Sequence, residues 1–279
     1  ELFMKVGFIG TGSMGSILIE SFIRSGTLQP EQIIASNRTM EKVRALADRF
    51  PGLMVARSNI EVVLEASVIF LCIKPGEYKR VLDEIKTVLL PEQIIVSITS
   101  PALLQHLEEQ LCAKVAKVIP SITHYVLGGA SLCMYGSRMD REAKQLLENL
   151  LARIGEPIQI EETYTRVTSD ITSCGPAFFA FLLQQFIDAA VEETGIPHEQ
   201  ATRLASHMLL GTGLLLTRGG FTPEELQNRV AVPGGITAEG LRLLDREAKG
   251  MFNRLIRITH AKYEEDVEKV KAMFLRTID

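Results

Sequence analysis

The stretch "KVGFIGTGSMGSILIESF", Lys5 to Phe22, decides the fold. Val6, Phe8 and Ile9 form a short apolar run of β-prone residues, which predicts a buried strand. Gly10, Gly12 and Gly15 follow in the G-x-G-x-x-G spacing. Met14, Ile17, Leu18 and Phe22 then recur at helical spacing, and Gly26 is a C-terminal stop. The first glycine allows a tight turn, the second lets a pyrophosphate approach the backbone, and the third permits close helix–strand contact. Unpaired N–H groups and the positive end of the helix then face the phosphates. Thr11, Ser13 and Met14, between the glycines, are expected to line the same turn.

The surrounding sequence supports this β–α opening. The chain has 279 residues, 46% of them apolar, enough for one sizeable core or two. A net charge of −4 argues against a nucleic-acid or anionic-membrane surface, and no basic run offsets it. No signal peptide and no apolar run of membrane-spanning length is read, so a cytoplasmic location is expected. The leading "ELF" before Met4 is set aside as an extension. Cys72, Cys112, Cys133 and Cys174 lack C-x-x-C spacing and read as structural thiols. The five histidines form no metal-ligand pattern, so no metal is expected.

Short apolar runs alternate with helical ones through the first half. Strands are expected in Glu31 to Arg38, Val62 to Pro75, Gln93 to Ser100 and Ala113 to Ser121, and helices over Met40 to Arg49 and Glu77 to Leu89. "GGASLCMYG" and "GEPIQIEE" are candidate edge strands. This alternation predicts a Rossmann-like, doubly wound, mostly parallel sheet with ligands at the carboxyl ends of its strands. The boundary is placed at Glu162, giving domains 4–162 and 163–279. Past it only helices are expected: Tyr164 to Gly195, His198 to Arg218, Pro223 to Val230, Thr237 to Glu247 and Lys249 to Asp279. "AFFAFLLQQFIDAAV" is apolar nearly all round, which calls for burial and suggests a large apolar dimer interface.

In NAD-binding sheets of this type an acidic residue ends the second strand and takes the ribose 2′-OH. Here that strand ends Ser36-Asn37-Arg38, without a carboxylate. A hydroxyl, an amide and a guanidinium suit a 2′-phosphate, so NADP is the expected cofactor. The competing reading makes Arg38 merely the start of the next helix. The strand-end rule also places Cys72, Lys74, Pro75, Thr99 and Pro120 along the cofactor.

The segment "VAVPGGITAEGLRLLD", Val230 to Asp245, resembles the C-terminal signature of Δ1-pyrroline-5-carboxylate reductases, where a P-G-G-x-T turn opens a helix. The resemblance runs through the whole chain: the I-G-x-G-x-M-G opening, the S-N-R strand end, Lys74-Pro75, and "CGPAFF". It implies a Rossmann domain followed by an obligately dimeric all-α domain. It also implies NAD(P)H-dependent reduction of a cyclic imine to proline. Gly234, Gly235 and Ile236 would supply an anion nest for the substrate carboxylate. Thr237 offers a hydroxyl, either as a helix cap or as a donor to the ring nitrogen. Cys174, Gly175 and Pro176 would stand near the substrate by the same resemblance.

Three departures cluster at the reacting end. The family's M-P-N-T-P is "IPSITH" here, its S-I-A-A-G is "SITSP", and its S-G-S-G-P-A is "TSCGPA". That pattern resembles the late-competence paralogues of the family in spore-forming bacteria, and it opens the alternative of a non-catalytic, NADP-binding regulator. A β-hydroxyacid dehydrogenase shares the two-domain plan, but Arg166 to Gly195 lacks the lysine those enzymes place on this helix. Cys174, read just before a helix N-terminus, is either a reactive thiol or a packed small residue. Lys74 is either catalytic or positional. His124 is either a proton donor beside the nicotinamide or a solvated loop residue, and the charged tail from His260 reads as a solvated helix face.

Overall fold

The computed structural model describes residues 3–276. Most of the leading extension and the last residues of the final expected helix lie outside the described residues. In chain order the elements are β1 (Val6–Ile9), α1 (Ser13–Arg24), β2 (Ile33–Ser36), α2 (Met40–Arg49), β3 (Met54–Val55), α3 (Asn59–Glu65) and β4 (Val68–Leu71). Next come α4 (Tyr78–Ile85), β5 (Ile94–Ser97), α5 (Leu104–Gln110), β6 (Lys114–Ile119), β7 (Ala130–Tyr135), α6 (Arg141–Leu151) and β8 (Glu156–Gln159). Six further helices follow: α7 (Thr165–Ser169), α8 (Gly175–Thr194), α9 (His198–Thr217), α10 (Pro223–Val230), α11 (Ile236–Glu247) and α12 (Met251–Leu275).

The strands form one sheet in the order β3-β2-β1-β4-β5-β6-β7-β8. Every pairing is parallel except β6 with β7. Strand order reverses between β1 and β4, with Ile9 opposite Ser36 on one side and Leu71 on the other. That reversal opens the crevice in which such sheets bind ligands. Residues of β1, β2, β4 and β5 are buried along their whole length, as strands covered on both faces must be. On one face Phe8 stacks on Phe70 at 5.2 Å, with Phe22 of α1 tilted against both. On the other, Ile69 and Leu71 pack with Val62, Tyr78, Leu107 and Val270.

By packing, the chain divides into two units. One comprises the residues up to Pro176 together with those from Ile258 onward; the other is Ala177–Arg257. The change from mixed to purely helical structure falls after β8, the last strand among the described residues.

A helical run of 33 residues, Glu162–Thr194, is long and apolar enough to cross a membrane, with mean hydropathy 1.4. This corrects the expectation that no such run exists. The apolar residues of "AFFAFLLQQFIDAAV" join a preceding helix rather than starting one, which lengthens the segment. Much of its apolar surface is open within the chain: Phe179, Phe181 and Phe186 are exposed, as are Met208, Leu210 and Leu214 on α9.

Candidate active site

The glycine turn sits at the strand-order reversal. Gly10 adopts φ +98°, and a Cβ there would lie 2.3 Å from the Cys72 carbonyl oxygen, so only glycine fits. Its amide donates to Ser36 O at 2.8 Å, and Cys72 N donates to Ile9 O at 2.8 Å, closing the strand ends around the turn. A side chain at Gly15 would meet Gly10 O at 2.5 Å, which is how α1 comes so close to β1. Gly12 is the N-cap of α1 and has open space where a side chain would be. No side chain caps this helix and no acidic residue lies in its first turn, so its leading N–H groups remain available to an anion.

A cleft of about 710 Å³ runs from this turn along the end of β2. Its lining includes Gly10, Gly12, Ser36, Asn37, Arg38 and Lys74. Asn37 Oδ1 accepts from Thr11 N at 3.0 Å, while its Nδ2 donates to Thr39 O. Ser36 Oγ donates to Asn59 Oδ1 at 2.7 Å, and Asn59 passes the chain on to Glu84. The Arg38 side chain is 79% exposed and reaches Glu77 at 3.3 Å. Lys42, Arg57 and Arg80 add positive charge that the sequence did not reveal. Arg57 was hidden because it follows β3, a strand only two residues long. Glu77 and Glu84 also line this cleft, Glu77 paired with Arg38 and Glu84 linked through Asn59 to Ser36.

A second cleft, about 510 Å³, extends the site past the end of β4. Here the chain brings Gly12, Ser13, Met14 and Gly15 together with Cys72, Lys74, Thr99, Pro120 and Cys174. Gly10, Thr11, Pro75, Gly175 and Pro176 stand beside it in the chain without lining it. Burial pushes the Cys72 thiol well above its ordinary range, which keeps it protonated. Lys74 is exposed and lines both clefts, just before the turn Pro75–Glu77.

The altered loops largely satisfy themselves. Ser121 Oγ accepts from both the amide and the hydroxyl of Thr123, so among Ser121, Ile122 and Thr123 none lines the second cleft. His124 corrects both of its readings, for it is 0% exposed and structural. Its Nδ1 faces Ile154 O and Gly128 O at 3.0 and 3.1 Å, which assigns the proton there. Nε2 then accepts from Ser131 Oγ at 3.0 Å. Burial holds the His124 pKa below its ordinary value. Lys117, also fully buried, pairs with Glu162 at 2.7 Å and donates to Ser100 O, bracing the "SITSP" loop.

Cys174 is not at a helix N-terminus, contrary to the expectation from sequence. The chain is already helical from α7 and passes through a wide π-type turn, Asp170–Cys174, directly into α8. Its thiol therefore gains nothing from orphan amides. It accepts instead from Arg166 Nη2 at 3.1 Å. π-turns of this kind re-aim side chains and recur at functional sites.

Gly234, Gly235, Ile236 and Thr237 belong to the other unit. Gly234 turns the chain at φ +73°, and Gly235, not Thr237, is the N-cap of α11. The cap reading of Thr237 is thereby removed. Ile236 is 93% exposed, and Thr237 is exposed in the first turn beside it.

Fold and clefts together define a doubly wound dinucleotide-binding protein with a helical second part. Residues 162–266 match the model described as pyrroline-5-carboxylate reductase dimerisation, and residues 5–101 match that described as NADP oxidoreductase, coenzyme F420-dependent. The chain is 44% identical to ComE operon protein 4 of Bacillus subtilis, over 97% of this chain and 99% of that one. It is 32% identical to pyrroline-5-carboxylate reductase 3 of Rattus norvegicus, over 87% and 88%. A Plasmodium falciparum pyrroline carboxylate reductase solved with NADP bound superposes with TM-score 0.80 at 24% identity, covering 97% and 98%. The chain belongs to the pyrroline-5-carboxylate reductase family, a family of oxidoreductases.

Proposed function

We propose that this chain is an NADPH-dependent reductase of a cyclic imine, converting pyrroline-5-carboxylate to proline. The observation that carries the reading is the end of β2, where Asn37 and Arg38 stand in place of a carboxylate. The NADP seen in the Plasmodium falciparum relative, and the imine named for the rat one, support the same choice. NADPH, when bound, supplies the hydride.

The chain's own residues do the rest. The amides opening α1 hold the pyrophosphate, and Asn37 and Arg38 hold the 2′-phosphate. Met14, Thr99 and Pro120 wall the nicotinamide end, with Lys74 positioning the ribose rather than reacting. The helical unit, taken by itself, offers a hydroxyl donor in Thr237 and an anion nest in the turn at Gly234 and Gly235, groups suited to an imine nitrogen and a carboxylate.

We keep the domain boundary at residues 162 and 163; the match to the dimerisation model, which begins at residue 162, supports it. The exposed apolar faces of α8 and α9 support a homodimer, or a dimer-based oligomer, through the helical part. A cytoplasmic protein without nucleic-acid or membrane partners fits this reading. A second reading is a competence-related, NADP-binding regulator without turnover. The altered loops at the reacting end and the 44% identity to ComE operon protein 4 favour it. Turnover separates the two: NADPH oxidation with pyrroline-5-carboxylate is measured beside calorimetric NADPH binding. Binding with oxidation supports the reductase; binding without it supports the regulator.

A further inference from the structure

Ile98, Thr99 and Ser100, just past the end of β5, line the second cleft, and the loop that carries them is gripped from inside the protein. Ser97 Oγ and the Tyr78 hydroxyl, both fully buried, share a hydrogen bond at 2.8 Å. Thr99 Oγ1 donates to Ile73 O at 3.1 Å, just past β4. The firmest hold is electrostatic. Lys117 stands opposite Ser97 in the pairing of β5 with β6, and it is 0% exposed. Its ammonium donates to Ser100 O at 3.0 Å and Ala102 O at 3.3 Å, and pairs with Glu162 Oε2 at 2.7 Å. An ammonium has three N–H donors, so all of them are used.

Glu162 is fixed in turn, because the same oxygen accepts from the Leu104 amide at 2.9 Å, where α5 begins. Tyr263, on α12, brings a second donor to Ser100 O, its hydroxyl at 3.4 Å. Pro101 follows and biases the backbone of Ser100 toward extended conformations. The family's small-residue S-I-A-A-G is thus rebuilt here as a stiff loop rather than merely lost. Lys117 itself lines neither cleft, so it acts on a ligand only through this loop. A buried ion pair adds little stability over an apolar pair of the same size. What this one supplies is geometry: two carbonyl oxygens held in one place behind a cleft wall.

We propose that Lys117, seconded by Tyr263, is a positioning residue for the nicotinamide half of the cofactor. It acts through the carbonyls of Ser100 and Ala102, and so sets the wall of Thr99 and Ser100 against which the nicotinamide ring rests. This role rests on the NADPH reading of the two clefts and deepens it. The adenosine half, in the first cleft, is indifferent to the brace.

The test is calorimetric titration of the full chain with NADPH and with 2′,5′-ADP, which carries the 2′-phosphate but no nicotinamide. The main variant is Lys117→Met together with Glu162→Gln, because removing the lysine alone would leave a carboxylate unpaired behind the loop. It is expected to weaken NADPH about tenfold, the scale of one or two lost polar contacts, and to leave 2′,5′-ADP unchanged. Lys117→Arg keeps the charge and the donors, and it recovers most of that loss. Tyr263→Phe leaves the ion pair intact and weakens NADPH about two- to threefold, again without touching 2′,5′-ADP. Its result stands alone should the double variant not fold. A merely structural role would lower Tm and weaken both ligands alike, and that result overturns the proposal. Variants that bind NADPH as the parent does overturn it as well. So does a parent that binds NADPH no tighter than 2′,5′-ADP, since it has no nicotinamide contact to position. A parent that binds neither nucleotide removes the cofactor reading itself. Turnover enters none of these measurements, so a chain that binds NADPH without oxidising it loses the reductase reading and keeps the positioning role.

Discussion

Asn37 Oδ1 accepts a hydrogen bond from the Thr11 amide at 3.0 Å, so the end of the second strand and the glycine turn are one unit. The side chain proposed to meet the 2′-phosphate therefore also braces the glycine turn. Asn37→Asp keeps that acceptor, but it exchanges the Nδ2 donor for a negative charge facing a 2′-phosphate. NADPH affinity is expected to fall about a hundredfold and NADH affinity to rise, as measured by titration of both nucleotides. Equal losses for both would mean that Asn37 acts only through the turn.

Thr237 is exposed and caps nothing, which leaves its hydroxyl free for a substrate. Thr237→Ala is expected to lower kcat/KM for pyrroline-5-carboxylate at least about tenfold, the scale of one hydrogen bond used in the transition state. NADPH affinity and Tm stay as they are. Turnover at the parent rate removes Thr237 from the mechanism.

His124 gives the chain a pH-dependent weakness. Its folded pKa lies below the ordinary value because the ring is buried. As pH falls below about 6.5, the unfolded chain takes up a proton that the folded chain refuses, so stability falls until the folded pKa is reached. Between pH 7.5 and 5.5 the unfolding free energy from urea titration is expected to drop further for the parent than for His124→Gln, by up to about 1.4 kcal/mol per pH unit. Other acid-sensitive groups are common to both chains and cancel in the comparison. An identical drop in both assigns the sensitivity elsewhere.

Leu210, on α9, is 61% exposed within the chain. If α8 and α9 meet a second copy, Leu210→Glu buries a charge in an apolar contact and sedimentation shifts from the dimer toward the single chain. A parent that already sediments as a single chain contradicts the homodimer.

Much of this architecture is legible in the sequence for a physical reason. The glycine turn of β1 and α1 combines steric requirements that few other arrangements share, and Gly10 meets them in the structure. Periodic apolar spacing marks α2 and α10 at their observed bounds. What escapes is set by contacts between distant residues. The two-residue strand β3 has no period of its own and forms through pairing with β2. His124 looks like a loop residue until Ile154 and Ser131 are seen closing around its ring. Arg166 shows nothing local beyond a helical charge; its place at the cleft comes from the π-turn, whose extra residue brings Cys174 within reach.

The reductase account is tested most directly by one assay: NADPH and NADH are compared as donors to pyrroline-5-carboxylate with the purified full chain, scoring nucleotide oxidation against proline formed. The expected result is one proline per NADPH consumed, with NADH at least about tenfold slower. No proline despite bound NADPH, or faster reduction with NADH, contradicts it.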